Sequence, residues 1–315
     1  MVPTSRQTLS YLRGLFEERG IHPKNKLGQN FLIDLNLIDL VVRSSEVGPG
    51  DVVIEVGSGT GSLTMRLIEL ADALVSVEID PAFANLTAEL VGTHYHLYGN
   101  GRKPAGVSQE NCKLIHADAL ENKNKLNPDI LSDLRALLAK PGMERVKLIA
   151  NLPFAVAVPV IANLLLTDLP IERMVVMVQW EIAERLTAVP STKDYASLAV
   201  LVQSIADVTL VRKVMPTVFW PRPKVESAIV MIRPNSEKRA KVGDVQTFRN
   251  FLRDLYSQRR KSLRAVLAGF PSRHIPKPEV DARLAELGIA GSVRAEALDV
   301  EQHLRLCQTF GGGEV

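Results

Sequence analysis

The chain of 315 residues has little cysteine, few aromatic residues and no long apolar run. Its two cysteines, Cys112 and Cys307, lie far apart and do not form a disulfide framework, so we expect a reducing compartment, the cytoplasm. No apolar run approaches the roughly 18 residues of a membrane span, so we expect no membrane contact. Residues 1–6 lead into no continuous apolar segment, which argues against a secretory signal.

What is present is an ordinary globular composition, with 46% hydrophobic and 23% charged residues. This balance excludes a disordered chain, a collagen and a coiled coil. The length predicts two domains, at about 150 residues per domain. The net charge is only +3, but residues 212–273 contain fifteen Lys or Arg and four Asp or Glu. Such a basic block is typical of a protein that binds a polyanionic partner, and it is also found where a cationic surface is only solvated.

Between residues 52 and 178, short apolar strands alternate with helices. Strands are predicted at 52–56, 74–79, 114–116, 146–150 and 174–178, and helices at 62–70, 81–90 and 156–166. This alternation predicts a parallel sheet with helices on both faces. A short amphipathic helix, ended by Gly20, is expected before it, and residues 92–111 lack a clear period and predict a surface loop.

The pattern changes after residue 200. Strands predicted at 208–214 and 225–232 are joined by a linker too short for a helical crossover, which predicts an antiparallel pair. Residues 234–243 are polar and predict a linker between domains. Beyond it only helices are predicted, at 245–257, 260–268, 278–287 and 300–309. We therefore expect a first domain over 1–235 and a helical domain over 243–315.

A glycine-rich turn, Glu55-Val56-Gly57-Ser58-Gly59-Thr60-Gly61, closes the first strand of the alternation. Its glycines let the backbone turn sharply and approach a ligand closely, and free N–H groups at the next helix start face the same crevice. A dinucleotide fingerprint has its third glycine one place later, where this chain has Ser62. The tighter spacing suits S-adenosylmethionine, which has no pyrophosphate. The alternative is a glycine-rich turn without a ligand.

Carboxylates follow the next two strands. Glu78, about twenty residues past the glycine turn, is placed to accept ribose hydroxyls, while Asp80 is a candidate helix cap. Asp118 follows the third strand and is a candidate either for the exocyclic amine of a cofactor adenine or for a helix N-cap. Because the carboxyl ends of parallel strands share one edge of the sheet, these positions predict one binding site.

The fourth strand ends in the tetrad Asn151-Leu152-Pro153-Phe154. The exocyclic amine of adenine is a poor nucleophile because its lone pair is delocalised into the ring, so an enzyme that methylates it must hold both N–H bonds. The Asn151 side-chain oxygen and the Leu152 carbonyl can accept them, while Pro153 stiffens the turn and Phe154 can stack on the base. The protein then contributes mainly positioning. The alternative, an ordinary turn with Phe154 in the core, is disfavoured by the glycine turn after the first strand.

With these motifs in order, the chain resembles the small-subunit ribosomal RNA adenine N6,N6-dimethyltransferases of the KsgA type. The matching segments extend along nearly the whole chain, at 26–32 (KLGQNFL), 55–61, 77–80, 118–119, 151–154, 219–227 (FWPRPKVES) and 258–261 (QRRK). The segments at 26–32 and 219–227 are the specific ones, because general methyltransferases lack them.

This resemblance implies an α/β fold, a Rossmann-like class I methyltransferase sheet with an antiparallel terminal hairpin, followed by a small all-helical RNA-binding domain. It implies methyl transfer from S-adenosylmethionine to N6 of two adjacent adenosines in a hairpin loop near the 3′ end of small-subunit (16S) rRNA, during ribosome biogenesis. The implied cofactor contacts are Asn30, Leu32, Gly57, Glu78, Asp118 and Asn151. The implied catalytic residues are Asn151, Leu152, Pro153 and Phe154.

We expect the basic residues to bind the small-subunit rRNA or a pre-assembled subunit through its phosphates. The candidates are Phe219, an aromatic between prolines that we expect to be exposed, as a second stacking surface or a hairpin-tip anchor, with Arg222, Lys224, Arg259, Arg260 and Lys261. Asp254 is the only acid between 245 and 273 and predicts no helix-spaced ion pair. For any single arginine the alternative is a solvated side chain or a surface ion pair. A monomer is expected.

No metal site is expected. His94, His96, Cys112 and His116 can be drawn as a four-ligand set, but half of it falls in the predicted loop. Exposed loop histidines are therefore the better interpretation.

Five positions, in three places, depart from the family pattern. Phe154 stands where the family usually has Tyr, and Ala155-Val156-Ala157 where Asn-Ile-Ser usually follows, so two polar side chains are missing near the target base. Trp180 stands where the family usually has Lys. A non-catalytic RNA-binding assembly factor therefore stays open, as does a large-subunit rRNA adenine methyltransferase of the resistance type, which shares most of the motifs.

Overall fold

A computed structural model describes residues 8–24, 27–98, 107–270 and 274–311, with backbone only at 94–98. Its strands are, in chain order, β1 (Phe31–Leu32), β2 (Asp51–Val56), β3 (Ala73–Glu78), β4 (Cys112–His116), β5 (Leu120–Asn122), β6 (Lys125–Leu126), β7 (Arg145–Asn151), β8 (Ile171–Gln179), β9 (Ala206–Val214), β10 (Phe219–Trp220) and β11 (Ser227–Pro234). The parallel strands predicted from sequence are β2, β3, β4, β7 and β8, each within three residues of its predicted ends.

The helices surround these strands. In chain order they are α1 (Leu9–Arg19), α2 (Leu35–Ser45), α3 (Ser62–Ile68), α4 (Pro81–Tyr98), α5 (Pro128–Leu138), α6 (Ala157–Leu165), α7 (Trp180–Leu186), α8 (Ser197–Ile205), α9 (Ser236–Val242), α10 (Val245–Tyr256), α11 (Leu263–Ala268), α12 (Lys277–Glu286) and α13 (Val300–Phe310). Among the residues that the structure describes, no helix is both long and apolar enough to cross a membrane.

The central sheet has seven strands in the order β4-β3-β2-β7-β8-β11-β9. The first five are parallel to one another, and β11 is antiparallel to β8, with Ser227 opposite Gln179. Every residue of β2 and β3 is buried, as expected for strands covered on both faces. The strand order reverses between β2 and β7, so a crevice opens at the carboxyl ends of these strands. The predicted parallel sheet is confirmed, and the two strands of the predicted terminal hairpin, β9 and β11, are neighbours at its end.

Two sequence expectations about irregular segments are wrong. The predicted linker at 234–243 contains α9, whose N-cap Asn235 accepts a hydrogen bond from the Lys238 N–H at 3.1 Å. Its residues are polar on all sides, so no apolar period revealed the helix. The predicted loop at 92–111 begins as the last two turns of α4 and ends near β4, while residues 99–106 lie outside the described residues.

By its internal contacts the chain forms two compact units, Met1–Ala183 with Thr209–Arg233, and Glu184–Val208 with Pro234–Val315. The second unit begins close to the predicted linker, but it also contains 184–208, which the sequence analysis placed in the first domain. The reason is α8, whose buried apolar side chains, such as Val200 and Val202, belong to the second unit together with α9, α10 and α13.

A fully buried histidine lies within the second unit. His303 Nδ1 donates to the Asp299 carbonyl at 2.7 Å, and Nε2 accepts from the Tyr256 hydroxyl at 3.2 Å. The Tyr256 ring stacks on the imidazole with ring centroids 5.8 Å apart. Burial lowers the pKa of His303 to about 4, because this site disfavours the charged imidazolium.

We predict that His303 makes the second unit sensitive to acid. The folded pKa lies below the unfolded value, so the unfolded state binds more protons between pH 6.5 and 4. The stability contributed by the neutral imidazole is therefore complete above pH 6.5 and is lost as the pH falls toward 4. Denaturant titrations at pH 7, 5 and 4 should show wild type losing about 3 kcal/mol more than His303→Leu. Equal losses in the two proteins would contradict this account.

Candidate functional site

Two adjoining cavities open at the carboxyl ends of β2, β3 and β7, in the predicted crevice. Both are lined by Phe31, Gly57, Gly59 and Asn151. The first continues between the glycine turn and α2, and the second continues toward Glu78 and the tetrad. The structure therefore brings together residues 27–32, the glycine turn and the tetrad, which are far apart in sequence.

The glycine turn needs its glycines for conformation and for space. Gly57, Gly59 and Gly61 all have positive φ, at 83°, 53° and 75°. A Cβ on Gly57 would lie 3.0 Å from the Pro153 ring, and one on Gly59 would lie 3.2 Å from the Phe31 ring. The backbone of the turn is thus packed against both the tetrad and β1, and its Gly57 and Gly61 N–H groups donate to the Val77 and Ser58 carbonyls at 2.8 and 2.9 Å.

Glu78 shapes the glycine turn from the end of β3. Its Oε2 accepts from the Gly59 N–H and its Oε1 from the Asp80 N–H, both at 2.9 Å. Burial raises the pKa of Glu78, although these hydrogen bonds favour the carboxylate. The residue also lines the second cavity, so one carboxylate both organises the turn and faces the predicted cofactor site.

Asp80 connects the specific N-terminal segment to the sheet. Lys24 Nζ and Gln29 Nε2 each lie 2.9 Å from its Oδ2, and its Oδ1 accepts from the Ala82 N–H at 3.0 Å. Its predicted role as a helix cap is therefore confirmed, at the start of α4. Burial by itself raises the pKa of Asp80, but the hydrogen bonds from Lys24 and Gln29 outweigh it, and the pKa is lowered. The segment before β1 is thereby held beside the cavities.

Asp118 does not cap a helix. It is exposed, and its side chain accepts from the Leu120 N–H at 2.9 Å in a tight turn, whereas α5 begins only at Pro128. Asp118 does not line either cavity within the described residues. Its contact with a cofactor adenine stays a prediction.

The orientation of the Asn151 side chain is set by its neighbours. Its Nδ2 donates to the Asn30 carbonyl at 3.2 Å, and the Asn30 side chain donates to the Gly28 carbonyl at 3.0 Å. With its nitrogen committed to the backbone, the amide has its oxygen left to accept a hydrogen bond from a ligand. Asn151 lines both cavities, so the residue lies where they meet.

The rest of the tetrad is held by β8 and by its own turn. The Leu152 N–H donates to the Met177 carbonyl at 3.1 Å, and the Pro153 carbonyl accepts from the Val156 N–H at 3.1 Å. Phe154 is partly exposed and lines the second cavity with Leu152 and Pro153. An aromatic face and a rigid turn therefore lie beside the Asn151 oxygen.

Phe219 lies opposite the tetrad, but it is not exposed. It is only 4% exposed, because β10 pairs antiparallel with β1 and places Phe219 opposite Leu32. The expectation of an exposed aromatic between prolines is wrong. The ring still lines the second cavity together with Phe154, so a stacking role stays a prediction.

The Ala155-Val156-Ala157 departure lies beside the cavities and not within their lining. Ala155 is exposed, Ala157 is buried in the first turn of α6, and neither lines either cavity. Val156, the N-cap of α6, makes no side-chain cap bond. The two missing polar groups therefore change the start of a helix more directly than the contacts of a bound base.

The candidate RNA-binding cations fall into two groups. Arg222 and Lys224 are exposed between β10 and β11, and Arg260 and Lys261 are exposed after α10. Arg259 is half-buried, with Nε 2.6 Å from Glu296 Oε2 and Nη2 2.5 Å from the Lys193 carbonyl. Its main contacts in the structure are therefore internal to the second unit.

Ion pairs that sequence spacing did not reveal neutralise other members of the basic block. Arg264 binds Asp281 through two hydrogen bonds of 2.6 Å, and Arg253 binds the adjacent Asp254 at 3.0 Å. The acids come from distant segments or from the neighbouring position, which a search for helix spacing does not detect. Among the described residues, no group of three or more His, Cys, Asp or Glu is placed to hold a metal ion; the side chains of His94 and His96 lie outside the described residues.

The sequence analysis did not single out Glu55 as a site residue. It is 1% exposed, lines the first cavity, and accepts from Thr64 Oγ1 and Ser76 Oγ at 2.7 Å each. Burial raises the pKa of Glu55 to about 7. The signal that could have identified it is an acid between Ile54 and Val56, inside a buried apolar strand.

Residues 21–311 match the family described as ribosomal RNA adenine dimethylase. The chain is 37% identical over 298 residues to the ribosomal RNA small subunit methyltransferase A of Streptomyces coelicolor, covering 94% of each chain. It is 33% identical to the protein of the same name from Moorella thermoacetica, covering 98% of each chain.

Solved structures resemble the chain in fold. A dimethyladenosine transferase from Plasmodium falciparum superposes with a TM-score of 0.67 at 24% identity, covering 89% of this chain and 97% of that one. The 23S rRNA methyltransferase ErmE gives a TM-score of 0.58 at 24% identity, covering 90% and 100%. These likenesses confirm the predicted Rossmann-like methyltransferase fold.

Proposed function

The chain belongs to the ribosomal RNA adenine dimethylase family, and from this premise we propose that it dimethylates two adjacent adenosines of small-subunit rRNA. The methyl groups are transferred from S-adenosylmethionine to N6, in a hairpin loop near the 3′ end of 16S rRNA. The observation that carries this proposal is the Asn151 amide, whose nitrogen is bound to the Asn30 carbonyl and whose oxygen is left for the substrate.

The cavity residues fit S-adenosylmethionine. Gly57 and Gly59 line both cavities, and a Cβ on either would press on the Pro153 or Phe31 ring of the cavity wall, so the open shape of the site depends on these glycines. Glu78 offers a carboxylate to ribose hydroxyls, and Asn30, Leu32 and Asp118 are proposed as further contacts. When bound, S-adenosylmethionine supplies an electrophilic methyl group on a positively charged sulfur.

The tetrad positions the target amine. The Asn151 Oδ1 and the Leu152 carbonyl accept its two N–H bonds, which draws the nitrogen lone pair out of conjugation and toward the methyl group. Phe154 stacks on the base, and Phe219 lines the same cavity. The amine loses its proton readily once methylated, so these residues need to position it and not to act as a strong base.

The small-subunit target follows from the relatives that share most of the sequence. Proteins named small subunit methyltransferase A are 33–37% identical over at least nine-tenths of this chain. The similarity to the 23S rRNA methyltransferase ErmE is a similarity of fold and does not support a large-subunit target. We further propose that exposed Arg260 and Lys261 of the second unit bind rRNA phosphates.

The test is methyl transfer from labelled S-adenosylmethionine to unmethylated small ribosomal subunits, with the labelled nucleoside identified by mass. We expect N6,N6-dimethyladenosine at two adjacent loop positions. Purified large subunits are the control substrate and should take up no label. Tight binding to small subunits without incorporation would contradict the enzymatic proposal and favour an assembly factor.

A further inference from the structure

Trp180 is held in a defined orientation at the end of β8. Its backbone N–H donates to the Glu226 carbonyl at 2.9 Å, and the Lys213 ammonium lies 4.5 Å from the centroid of its ring. The same ammonium is 2.7 Å from the Glu226 carboxylate. Three segments of the first unit thus meet at this indole, which is nevertheless partly exposed.

This cluster lies on the same edge of the sheet as the tetrad. Met177 of β8 is opposite Asn151 in the pairing with β7, and Trp180 follows three residues later. At a rise of about 3.3 Å per residue, the backbone of Trp180 is about 10 Å along the chain from Met177. A nucleotide next to a base bound at Asn151 can therefore reach the indole.

The two segments that contact Trp180, through Lys213 and Glu226, have the chemistry of a single-stranded RNA surface. Met215 and Val225, which follow β9 and precede β11, are 53% and 44% exposed. Residues 212–226 contain four cations and one acid, Glu226, which is already paired with Lys213. Exposed apolar faces beside unpaired cations are what bases and phosphates of an unpaired strand require.

We propose that Trp180 is the stacking surface for the nucleotide adjacent to the target adenosine in the RNA loop. This inference rests on the proposed function, which requires two neighbouring adenosines to be presented to one cavity. Lys213 holds the indole in place and Arg222 and Lys224 neutralise nearby phosphates. Trp180 is therefore a substrate-positioning residue that acts on the RNA and not on the cofactor.

The test compares Trp180→Ala, Trp180→Leu and Trp180→Phe in steady-state methylation of unmethylated small subunits. A lost base–aromatic stack is expected to raise the KM for subunits about tenfold in the Ala and Leu variants. The Phe variant keeps an aromatic face and should stay within about threefold of wild type. In all three, kcat and the affinity for S-adenosylmethionine should be unchanged.

The Leu variant separates stacking from packing, because it retains apolar volume and has no π face. A KM near the wild-type value for Trp180→Leu would overturn the proposal, and so would a loss of cofactor affinity in the same proportion as the loss of subunit affinity. Leu70→Ala is the matched control, since Leu70 is 39% exposed and precedes β3 at the opposite edge of the sheet.

The wild-type protein separates this inference from the proposed function. If wild type leaves small subunits unmethylated, the proposed function fails and the stacking role fails with it. If wild type dimethylates them and the Ala and Leu variants keep the wild-type KM, only the role of Trp180 is wrong.

Discussion

Replacing Asn151 by Ala should lower kcat for methyl transfer at least about 100-fold and leave RNA binding nearly intact. The Asn151 oxygen is held toward the cavities by the bond from its nitrogen to the Asn30 carbonyl, so it accepts from the amine without reorganising. Removing one such preorganised partner typically costs 10²–10³ in kcat, roughly 3–4 kcal/mol. Single-turnover transfer to unmethylated small subunits, with subunit affinity measured in parallel, checks both parts.

Asn163→Ala is the control for this variant. Asn163 is another buried asparagine, on α6, but it does not line either cavity. Its loss should change kcat by less than about threefold, because neither the amine nor the cofactor meets it. Activity that survived in Asn151→Ala would show that the assigned role of the amide oxygen is wrong.

Replacing Glu78 by Ala should weaken S-adenosylmethionine binding about 100-fold. The carboxylate holds the Gly59 N–H and the Asp80 N–H, and it is the proposed acceptor for the ribose. Hydrogen bonds to a charged group contribute about 1.5–3 kcal/mol each. Loss of the ribose contact together with the geometry of the turn therefore accounts for a loss of affinity of about 100-fold. Calorimetric titration with S-adenosylmethionine measures the change, with Glu69→Ala, an exposed acid after α3, as the control.

The same carboxylate should make cofactor binding depend on pH. Burial raises the pKa of Glu78, so its carboxylate is protonated at a higher pH than that of an exposed glutamate. The cofactor affinity of wild type should therefore be complete above the raised pKa and fall as the pH drops through it. Glu78→Gln should bind more weakly at neutral pH and lose this dependence on acid. A dependence of the same size in the Gln variant would assign it to another group.

Much of the sheet could be predicted because its strands are short, apolar and separated by turn residues. Such runs predict β2 and β7, and the short connection between β9 and β11 predicts that these two strands pair. The antiparallel pairing of β11 with β8 was not predicted. The helices that escaped prediction differ in their local signals. α9 is polar on all sides and has no apolar period, whereas α2 has an apolar stripe, with Ile38, Val41 and Val42, that does indicate a helix.

Residues of the candidate site could be predicted where a backbone conformation requires them or where they stand at the end of a strand. Gly57 is required by a positive φ, and Glu78 and Asn151 end parallel strands that must share one edge. Phe219 and Arg259 could not be placed this way. The burial of Phe219 depends on pairing with β1, and the partners of Arg259 come from segments far along the chain.

The sequence by itself determined the parallel sheet, the glycine turn, the tetrad and the family, because these depend on local periodicity and on residue types at short spacing. Only the tertiary structure decided which way the Asn151 amide faces, which cations are already paired, and that Trp180, Lys213 and Glu226 meet. Each of these depends on contacts between segments separated by tens of residues. Local propensity does not encode such contacts, and only the packed chain sets their distances.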